Sequence, residues 1–221
     1  MSFRILDLCC GGGGAAAGYA SMGFEVTGVD ITPQPHYPYA FLQGDCLSFP
    51  LEGYDVIHIS PPCQRWSRQV SCRPQLRDRY PDLITPVRPR LEASGIPYVI
   101  ENVPGAPLRD PVMLCGAMFG REIYRHRLFE CGNGIYPGQP WHGPHAVRAS
   151  RAGHWEPGTF MSVAGHIAPV SKAREVMGID WLPREEMAEA VPPYFTAYIG
   201  AYLLGQLTPL LRQLTPGKPA P

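Results

Sequence analysis

Length, composition and charge restrict this protein to a few classes. The chain has 221 residues, 45% hydrophobic and 17% charged, with 19 basic and 19 acidic side chains, so we predict one globular domain with a small appendage. No apolar run approaches the roughly 20 residues of a membrane span, and seven cysteines with no signal peptide ahead of them indicate reduced thiols in the cytoplasm.

The N-terminal segment has the pattern of a nucleotide-binding unit. Residues 3–8 predict a strand, residues 11–14 a turn that glycine tolerates best, residues 15–22 a helix, and residues 24–29 a second strand with Asp30 at its tip. Backbone amides of such a turn can hold an anion, and an acid after the second strand suits a ribose hydroxyl. The loop alone does not distinguish a dinucleotide from S-adenosylmethionine.

The remaining elements complete an α/β pattern with one irregular region. A third strand ends near Asp45, whose carboxylate suits an adenine amino group; for Asp30 and Asp45 the structural alternative is capping of the next turn. Further strands are predicted at 56–60, 96–100 and 128–130, and helices at 83–94, 170–177 and 194–211. Periodicity disappears from about 131 to 168, which predicts a small loop-built insert.

Two strand ends carry residues suited to chemistry. Pro61-Pro62-Cys63-Gln64 follows one strand and Glu101-Asn102-Val103 follows the next, and the carboxyl ends of parallel strands share one rim. This pattern predicts a nucleophilic thiol and an acid that lie together. Because arginines follow Cys63, we expect the pKa of its thiol to be lowered.

Arginines cluster in two places. One run favours bidentate contact with phosphate, with a solvated helix face as the alternative; it comprises Arg65, Arg68, Arg73, Arg77, Arg79, Arg88 and Arg90. Arg125 and Arg127 alternate, so on a strand their side chains share one face, which we expect to point to the same rim as Cys63 and Glu101.

The remaining thiols and imidazoles give little support for a metal site. His142-x-x-His145 lies in a stretch rich in glycine and proline, and the sequence contains no C-x-x-C, so we predict a surface loop and no metal. A lone cysteine is usually an inert buried residue, which is the interpretation for Cys9, Cys46, Cys115 and Cys131.

From near residue 3 to near residue 205, the chain resembles the DNA (cytosine-5) methyltransferases in the order of its motifs. Asp7 to Gly14 is similar to the first motif of that family, Pro62-Cys63-Gln64 to its nucleophile motif, and Glu101-Asn102-Val103 to its acid motif. Arg125-His126-Arg127 resembles the paired-arginine motif, and residues 188–193 resemble the segment before the last helix. Pro-Cys-Gln followed by Glu-Asn-Val, with the glycine loop upstream, is the most specific part.

The resemblance implies a Rossmann-like α/β fold, the sheet of an S-adenosylmethionine-dependent methyltransferase, with a small loop-rich insert. It implies methyl transfer from S-adenosylmethionine to carbon 5 of a cytosine flipped out of duplex DNA. Cys63 would attack carbon 6 and Glu101 would engage nitrogen 3 and the amino group. Arg127 would contact the 2-keto oxygen, and Arg125 would help to hold the loop and a phosphate.

The resemblance also implies a domain division and a set of binding residues. Residues 1–130 would form the catalytic and cofactor-binding domain, 131–168 a target-recognition insert, 169–212 helices that complete the catalytic domain, and 213–221 a flexible tail. Cofactor-binding residues would be Asp7, Cys9, Gly11, Gly13, Gly14, Asp30, Ile31, Asp45, Cys46, Pro62, Glu189 and Val191. Substrate-binding residues would be Gln64, Arg65, Ser67, Arg68 and Asn102.

The chain departs from the family pattern at three places. Cys9 stands where the family usually has phenylalanine, and Ala188-Glu189 replaces a glycine and an asparagine. A carboxylate at 189 facing the carboxylate of the cofactor is unfavourable, so Glu189 points elsewhere, a cation compensates, or the cofactor differs. The insert is short, so it reads a short site or needs a partner. Its predicted DNA contacts are Arg148, Arg151, His154 and Trp155.

Other functions stay open at this point. A methyltransferase acting on cytosine in RNA or in a free nucleotide fits the balanced charge and the small insert. A methyltransferase fold that binds DNA without turnover fits the changes at residues 9, 188 and 189. A nicotinamide oxidoreductase would leave Pro-Cys-Gln and Glu-Asn-Val unexplained. The compactness of the chain favours a bacterial or phage-encoded modification enzyme.

Overall fold

The computed structural model describes residues 2–67 and 79–214, which contain one sheet of seven strands and five α-helices. The strands are β1 (Arg4–Leu8), β2 (Glu25–Asp30), β3 (Ala40–Gln43), β4 (Val56–Ile59), β5 (Tyr98–Asn102), β6 (Val112–Leu114) and β7 (Arg127–Gly132). The helices are α1 (Gly14–Ser21), α2 (Ile84–Ser94), α3 (Val170–Met177), α4 (Arg184–Met187) and α5 (Pro193–Leu214), with 3-10 turns at Gln64–Trp66 and Gly116–Phe119. The predicted elements are confirmed. Only β6 and α4 were not predicted, because three and four residues are too few to show a period.

The strand order brings several strand ends to one edge of the sheet. The order is β3-β2-β1-β4-β5-β7-β6; strands β1 to β5 pair in parallel, and β7 runs antiparallel to both of its neighbours. The direction of winding reverses between β1 and β4, which is where sheets of this class bind ligands. Because β7 runs the other way, Asn102 at the end of β5 pairs with Leu128 near the start of β7. The start of β7 therefore lies at the ligand-binding edge.

Helices cover both faces of the sheet. Along β1, Ile5 belongs to the core cluster formed with α1 and α5, whereas Leu6 and Leu8 belong to the cluster formed with α2. This alternation is the period of two expected of a strand buried on both faces. Each fully buried leucine or isoleucine contributes about 1.5–3 kcal/mol relative to an exposed one.

Helices α1 and α5 lie in close contact. A side chain at Gly18 would overlap the carbonyl oxygen of Pro193 and the hydroxyl of Thr196, so glycine is required there. The Thr196 hydroxyl donates a hydrogen bond of 2.8 Å to the carbonyl of Ala15. This contact fixes the start of α5, and with it the preceding segment that ends at Val191 beside the glycine loop.

The loop-rich region begins after β7, which continues to Gly132 rather than ending before residue 131. Isolated bridges join Ile123 to Met161 and Ala149 to Phe160. The second half of the region contributes to a third core cluster, which includes Met161, Val163 and Ile167 together with Val176, Met177 and Leu182. Residues 159–168 are thus anchored to α3 and α4. Over the two described ranges, no helix is both long and apolar enough to cross a bilayer.

Candidate active site

A cavity of about 280 Å³ opens at the carboxyl ends of β1, β2, β4 and β5. Cys63, Glu101 and Arg127 line it together, as the strand-end pattern predicted. The glycine loop and the segment before α5 form its other walls. The remaining lining residues are Cys9, Cys10, Gly11, Gly12, Gly14, Ala15, Asp30, Thr32, Gln34, Ser60, Pro61, Pro62, Gln64, Glu186, Glu189, Ala190 and Val191.

The glycine loop is shaped mainly by contacts within the protein. Gly13 has a φ of 83° at the start of α1, and a side chain on Gly14 would clash with the carbonyl of Val191. Gly11, with a φ of 47°, differs because a β-carbon there would meet nothing within 4 Å, and the residue lines the cavity. The loop therefore leaves room for a ligand on the Gly11 side, next to the first turn of α1.

The two aspartates predicted to hold a nucleoside have different surroundings. Asp30 lines the cavity, and its carboxylate accepts the backbone N–H groups of Gly11 and Thr32, each at 3.1 Å. Asp45 caps its own turn by accepting the N–H of Leu47 at 2.9 Å, which is the structural alternative given above. Both carboxylates therefore cap the turn that follows them, and of the two only Asp30 also lines the cavity.

Besides Asp45 and Gly13, three other predicted cofactor contacts do not line the cavity. Asp7 is fully buried beneath it and accepts a hydrogen bond from the hydroxyl of Tyr37 at 3.4 Å. Burial raises the pKa of Asp7 to about 8. Ile31 has an exposed fraction of 67%, and Cys46 is buried.

Cys9 is held in the left-handed region, with a φ of 53°. A hydrogen bond with Cys46 and burial both raise the pKa of the Cys9 thiol. The pair Cys9–Cys46 thus packs beside the cavity as small polar residues, in place of the aromatic ring that the family pattern would supply.

Cys63 precedes the 3-10 turn at Gln64–Trp66 and is partly buried. Burial raises the pKa of its thiol; Arg127 and Arg125 oppose this effect, and Glu101 and Glu189 add to it. The prediction of a lowered pKa is wrong for this state, because desolvation outweighs the two guanidinium groups. Among the described residues, the cations that act on the thiol are Arg127 at the start of β7 and Arg125 two residues before it.

Glu101 is the centre of a buried polar network. Its Oε1 lies 2.8 Å from Nε of Arg127, yet no described residue forms a well-aligned hydrogen bond to this oxygen. Burial raises the pKa of Glu101, and Arg127, Arg125 and the hydroxyl of Ser60 oppose that rise. The direction of this shift favours the protonated carboxyl, which is the form that a proton donor needs.

His58 supports this network from below, and no sequence pattern had indicated it. Its Nε2 lies 2.9 Å from the hydroxyl of Ser60, and its Nδ1 lies 3.0 Å from the hydroxyl of Tyr19. Complete burial lowers the pKa of His58 to about 3, so the ring is neutral at ordinary pH. The one hint of this role in the sequence is that His58 is a polar residue in the middle of the apolar strand β4.

The side chain of Arg125 connects two loop segments through hydrogen bonds to their backbone. Its guanidinium donates to the carbonyls of Val163, Ala188 and Ala190 at 2.7–2.9 Å. The prediction that both arginines point to the rim of Cys63 and Glu101 is confirmed for Arg127, which lines the cavity, whereas Arg125 precedes β7 and does not line it. The prediction of a phosphate contact for Arg125 does not fit, because its guanidinium is buried and engaged with backbone.

Glu189 points into the cavity and not away from it. Its Oε1 accepts a hydrogen bond of 3.3 Å from Nε2 of Gln64. Glu186 lies near it on the same wall, pairs with His36 at 2.9 Å, and leaves Oε2 without a hydrogen bond among the described residues. Glu186 and His36 were missed because their positions depend on the fold of α4 against the glycine loop. The two glutamates make this end of the cavity acidic, which suits a cationic ligand.

Most of the predicted substrate contacts have structural roles. Asn102 is buried and donates a 2.9 Å hydrogen bond to the carbonyl of Pro61, which ties the two strand-end loops together. Arg65 donates to the carbonyl of Tyr80 at 3.0 Å, and the Ser67 hydroxyl donates to the carbonyl of Gln64. Arg68 lies outside the described residues.

The described arginines of the run that begins at Arg65 also differ in their surroundings. Arg88 makes a buried bidentate pair with Glu130 at 2.7 and 2.8 Å, and Arg90 donates to the carbonyls of Cys46 and Phe49, so phosphate contact is wrong for both. Arg79 is exposed, whereas Arg73 and Arg77 lie outside the described residues.

Of the four residues of the insert that were predicted to contact DNA, three are exposed and one is packed against the core. Arg148 is exposed and pairs with Glu156 at 2.8 Å, and Arg151 and His154 are exposed and joined by a backbone bridge. The ring of Trp155 packs against the third core cluster, and its N–H donates to a backbone carbonyl. Trp155 is therefore part of the support of the insert.

Comparison with solved structures identifies the fold. The chain is similar to a protein described as a DNA modification methyltransferase encoded within a prophage of E. coli, with 17% identity, a TM-score of 0.62, and coverage of 94% of this chain and 100% of that one. It is also similar to Spodoptera frugiperda DNMT2, with 13% identity, a TM-score of 0.62, and coverage of 92% of this chain and 100% of that one. S. pombe Dnmt2 is similar with 12% identity, a TM-score of 0.54, and coverage of 94% of this chain and 99% of that one. No protein-family model and no curated protein matches the sequence. The fold is the Rossmann-like α/β fold of S-adenosylmethionine-dependent methyltransferases.

Proposed function

We propose that this protein transfers a methyl group from S-adenosylmethionine to carbon 5 of cytosine in DNA, through a covalent bond between Cys63 and the base. The observation that carries this proposal is the shared cavity of Cys63, Glu101 and Arg127, which continues without a break to the glycine loop. A nucleophile, an acid and a cation that line one cavity are the groups that this reaction needs.

The residues at the loop end of the cavity fit the cofactor. Gly11 faces open space beside the start of α1, and Asp30 stands at the wall where a ribose would lie. Glu186 and Glu189 add negative charge, which attracts the sulfonium and ammonium groups of S-adenosylmethionine and repels its carboxylate, so the ammonium and not the carboxylate would face Glu189. When bound, S-adenosylmethionine supplies an electrophilic methyl group.

The residues at the other end can activate a cytosine that has left the stack of the duplex. Cys63 loses its proton to water, and its sulfur forms a bond to carbon 6. Glu101 in its neutral form gives a proton to nitrogen 3, so the electron pair of the ring's 5,6 double bond becomes available at carbon 5. After carbon 5 takes the methyl group and S-adenosylhomocysteine leaves, water removes the proton of carbon 5 and nitrogen 3 returns its proton to Glu101. Breakage of the sulfur–carbon bond then restores the double bond and frees Cys63 as a thiolate. Positioned acid catalysis of this kind contributes about 10²–10⁴-fold.

Arg127 and Arg125 have separate tasks in this proposal. Arg127, whose Nε lies beside Glu101, would bind the 2-keto oxygen and limit how far burial raises the pKa of Glu101. Arg125 holds the carbonyls of Val163, Ala188 and Ala190, and so keeps the cavity wall that carries Glu189 in place. The hydrogen bond between Asn102 and Pro61 holds the loops of the nucleophile and the acid at a fixed separation.

The experiment measures transfer of labelled methyl groups to duplex DNA, to RNA and to deoxycytidine nucleotides in parallel. We expect label in duplex DNA at carbon 5 of cytosine, detected by bisulfite sequencing. Cys63→Ala should abolish it and leave binding of S-adenosylmethionine largely intact. Preferred labelling of RNA or of nucleotides would move the substrate to those classes, and full activity of Cys63→Ala would refute the covalent pathway.

A further inference from the structure

A second cluster of reactive side chains lies outside the candidate active site. Cys115, His126, His142 and His145 place one sulfur and three ring nitrogens within 4.8 Å of one another. They come from three segments: the residue after β6, the residue before β7, and the loop that follows β7. Thiolate and imidazole are the ligands that zinc prefers, and sets of four such groups are typical of structural zinc sites.

Three of the six distances within the cluster match the edges of a tetrahedron around a metal, and all six lie within 4.8 Å. Nε2 of His142 lies 3.3 Å from Nε2 of His126 and 3.2 Å from Nε2 of His145, and Sγ of Cys115 lies 3.6 Å from Nε2 of His145. With Zn–N bonds of ~2.0–2.1 Å and a Zn–S bond of ~2.3 Å, the tetrahedral edges are ~3.3 Å between nitrogens and ~3.6 Å between sulfur and nitrogen.

Hydrogen bonding does not account for this arrangement. A ring nitrogen has one site in the plane of the imidazole, either a proton or a lone pair, and cannot serve two partners at once. Nε2 of His142 nevertheless lies at close distance to both His126 and His145. A cation between these nitrogens would bind all of their lone pairs at once.

The surroundings hold the ligands in place. The ring of Tyr124 stacks on His145 with centroids 3.7 Å apart and planes at 19°, and the hydroxyl of Tyr124 accepts the backbone N–H of Val147 at 3.1 Å. The ring of His126 also stacks on that of His145, with centroids 4.9 Å apart and planes at 22°. Such support from neighbouring groups is usual for metal ligands.

We propose that Cys115, His126, His142 and His145 bind a structural Zn²⁺ ion. Four protein ligands leave no open position, so the site is of the structural and not the catalytic kind. It ties the loop after β7 to the end of β6 and fixes His126, which lies between Arg125 and Arg127. The inference does not depend on the proposed function. The sequence had favoured a surface loop because the ligands are spread over 31 residues (115 to 145) and lack paired-cysteine spacing.

The first experiment measures metal content in the full chain, purified with a tag that contains no histidine and then desalted. We expect about one zinc per chain by mass spectrometry of the metal. Cys115→Ser and His142→Ala should each reduce zinc to background, whereas His154→Ala, an exposed histidine in the same insert, should retain it. A chelator should lower the melting temperature of the wild-type chain and of His154→Ala, but not that of Cys115→Ser.

A second experiment needs no variant and stands even if Cys115→Ser fails to fold. The wild-type chain, stripped of metal, is titrated with Co²⁺; we expect saturation at one ion with visible bands of tetrahedral cobalt and a thiolate-to-cobalt band in the near ultraviolet. Competing Zn²⁺ should erase both. Purified chain without metal that also takes up neither Zn²⁺ nor Co²⁺ would overturn the proposal, and a stoichiometric content of iron, nickel or copper would overturn its assignment to zinc.

Discussion

Replacement of Glu101 by glutamine separates the two roles that a carboxylate beside a cysteine can have. The variant keeps the shape of the side chain but cannot give up a proton, so the proposed protonation of nitrogen 3 is lost. We expect kcat to fall by about 10²–10⁴-fold, which corresponds to about 3–5 kcal/mol of transition-state stabilisation.

The same substitution should make Cys63 more reactive. Glu101 is one of two carboxylates that raise the pKa of the thiol, and Arg127 loses its counter-ion when Glu101 becomes neutral. Each pKa unit changes the thiolate fraction tenfold below the pKa, so we expect alkylation of Cys63 at pH 8 to accelerate about 3- to 10-fold. The assay is the rate of iodoacetamide labelling at Cys63, followed by peptide mass spectrometry, beside the rate of methyl transfer.

Glu189→Gln is the matched control for the Glu101 variant. It removes the same charge from the same cavity and also removes a carboxylate that raises the pKa of Cys63. We expect faster labelling and a much smaller loss of kcat than in Glu101→Gln. If Glu101→Gln slowed labelling and methyl transfer together, Glu101 would be an activator of the thiol, and its assignment as the acid would be refuted.

Three further predictions concern stability and the shape of the cavity. The native state keeps a proton on Asp7 that the unfolded chain releases above the ordinary pKa of 3.8, so this carboxyl lowers the free energy of unfolding by an amount that grows between about pH 4 and about pH 8. Asp7→Asn should therefore melt like wild type near pH 4 and gain up to about 5 kcal/mol of stability by pH 8. A gain that does not depend on pH would contradict this cause. Glu130→Ala leaves the buried guanidinium of Arg88 unpaired and should cost about 3–5 kcal/mol in denaturant unfolding, and a loss below about 1 kcal/mol would show that Arg88 finds water instead. Gly14→Ala places a methyl group against the carbonyl of Val191, so calorimetric titration should show loss of S-adenosylmethionine affinity with a folded chain; unchanged affinity would mean that this wall moves freely.

Much of the fold followed from local patterns. The alternation of β1, the glycine turn and Asp30 gave the order of the first elements because buried parallel strands are short apolar runs with turns at their ends. The meeting of Cys63 and Glu101 also followed, since the rim of a parallel sheet gathers strand ends.

Other features depended on contacts that no short pattern records. The raised pKa of Cys63 results from burial, which a count of nearby arginines does not contain. His58 and Glu186 lie at the site because of how whole helices and strands pack. Arg88 is buried because it pairs with Glu130. The histidine and cysteine cluster was hidden for the same reason, since β6 and β7 bring its ligands together in space.

The central claim is that the sulfur of Cys63 bonds to a cytosine ring held at Glu101. Its most direct test is duplex DNA that contains 5-fluorocytosine, incubated with the protein and S-adenosylmethionine, because fluorine at carbon 5 cannot leave as a proton does. The account predicts a protein–DNA adduct that survives denaturation and that peptide mass spectrometry locates at Cys63. Turnover on ordinary DNA with no trapped adduct, or an adduct at another residue, would contradict it.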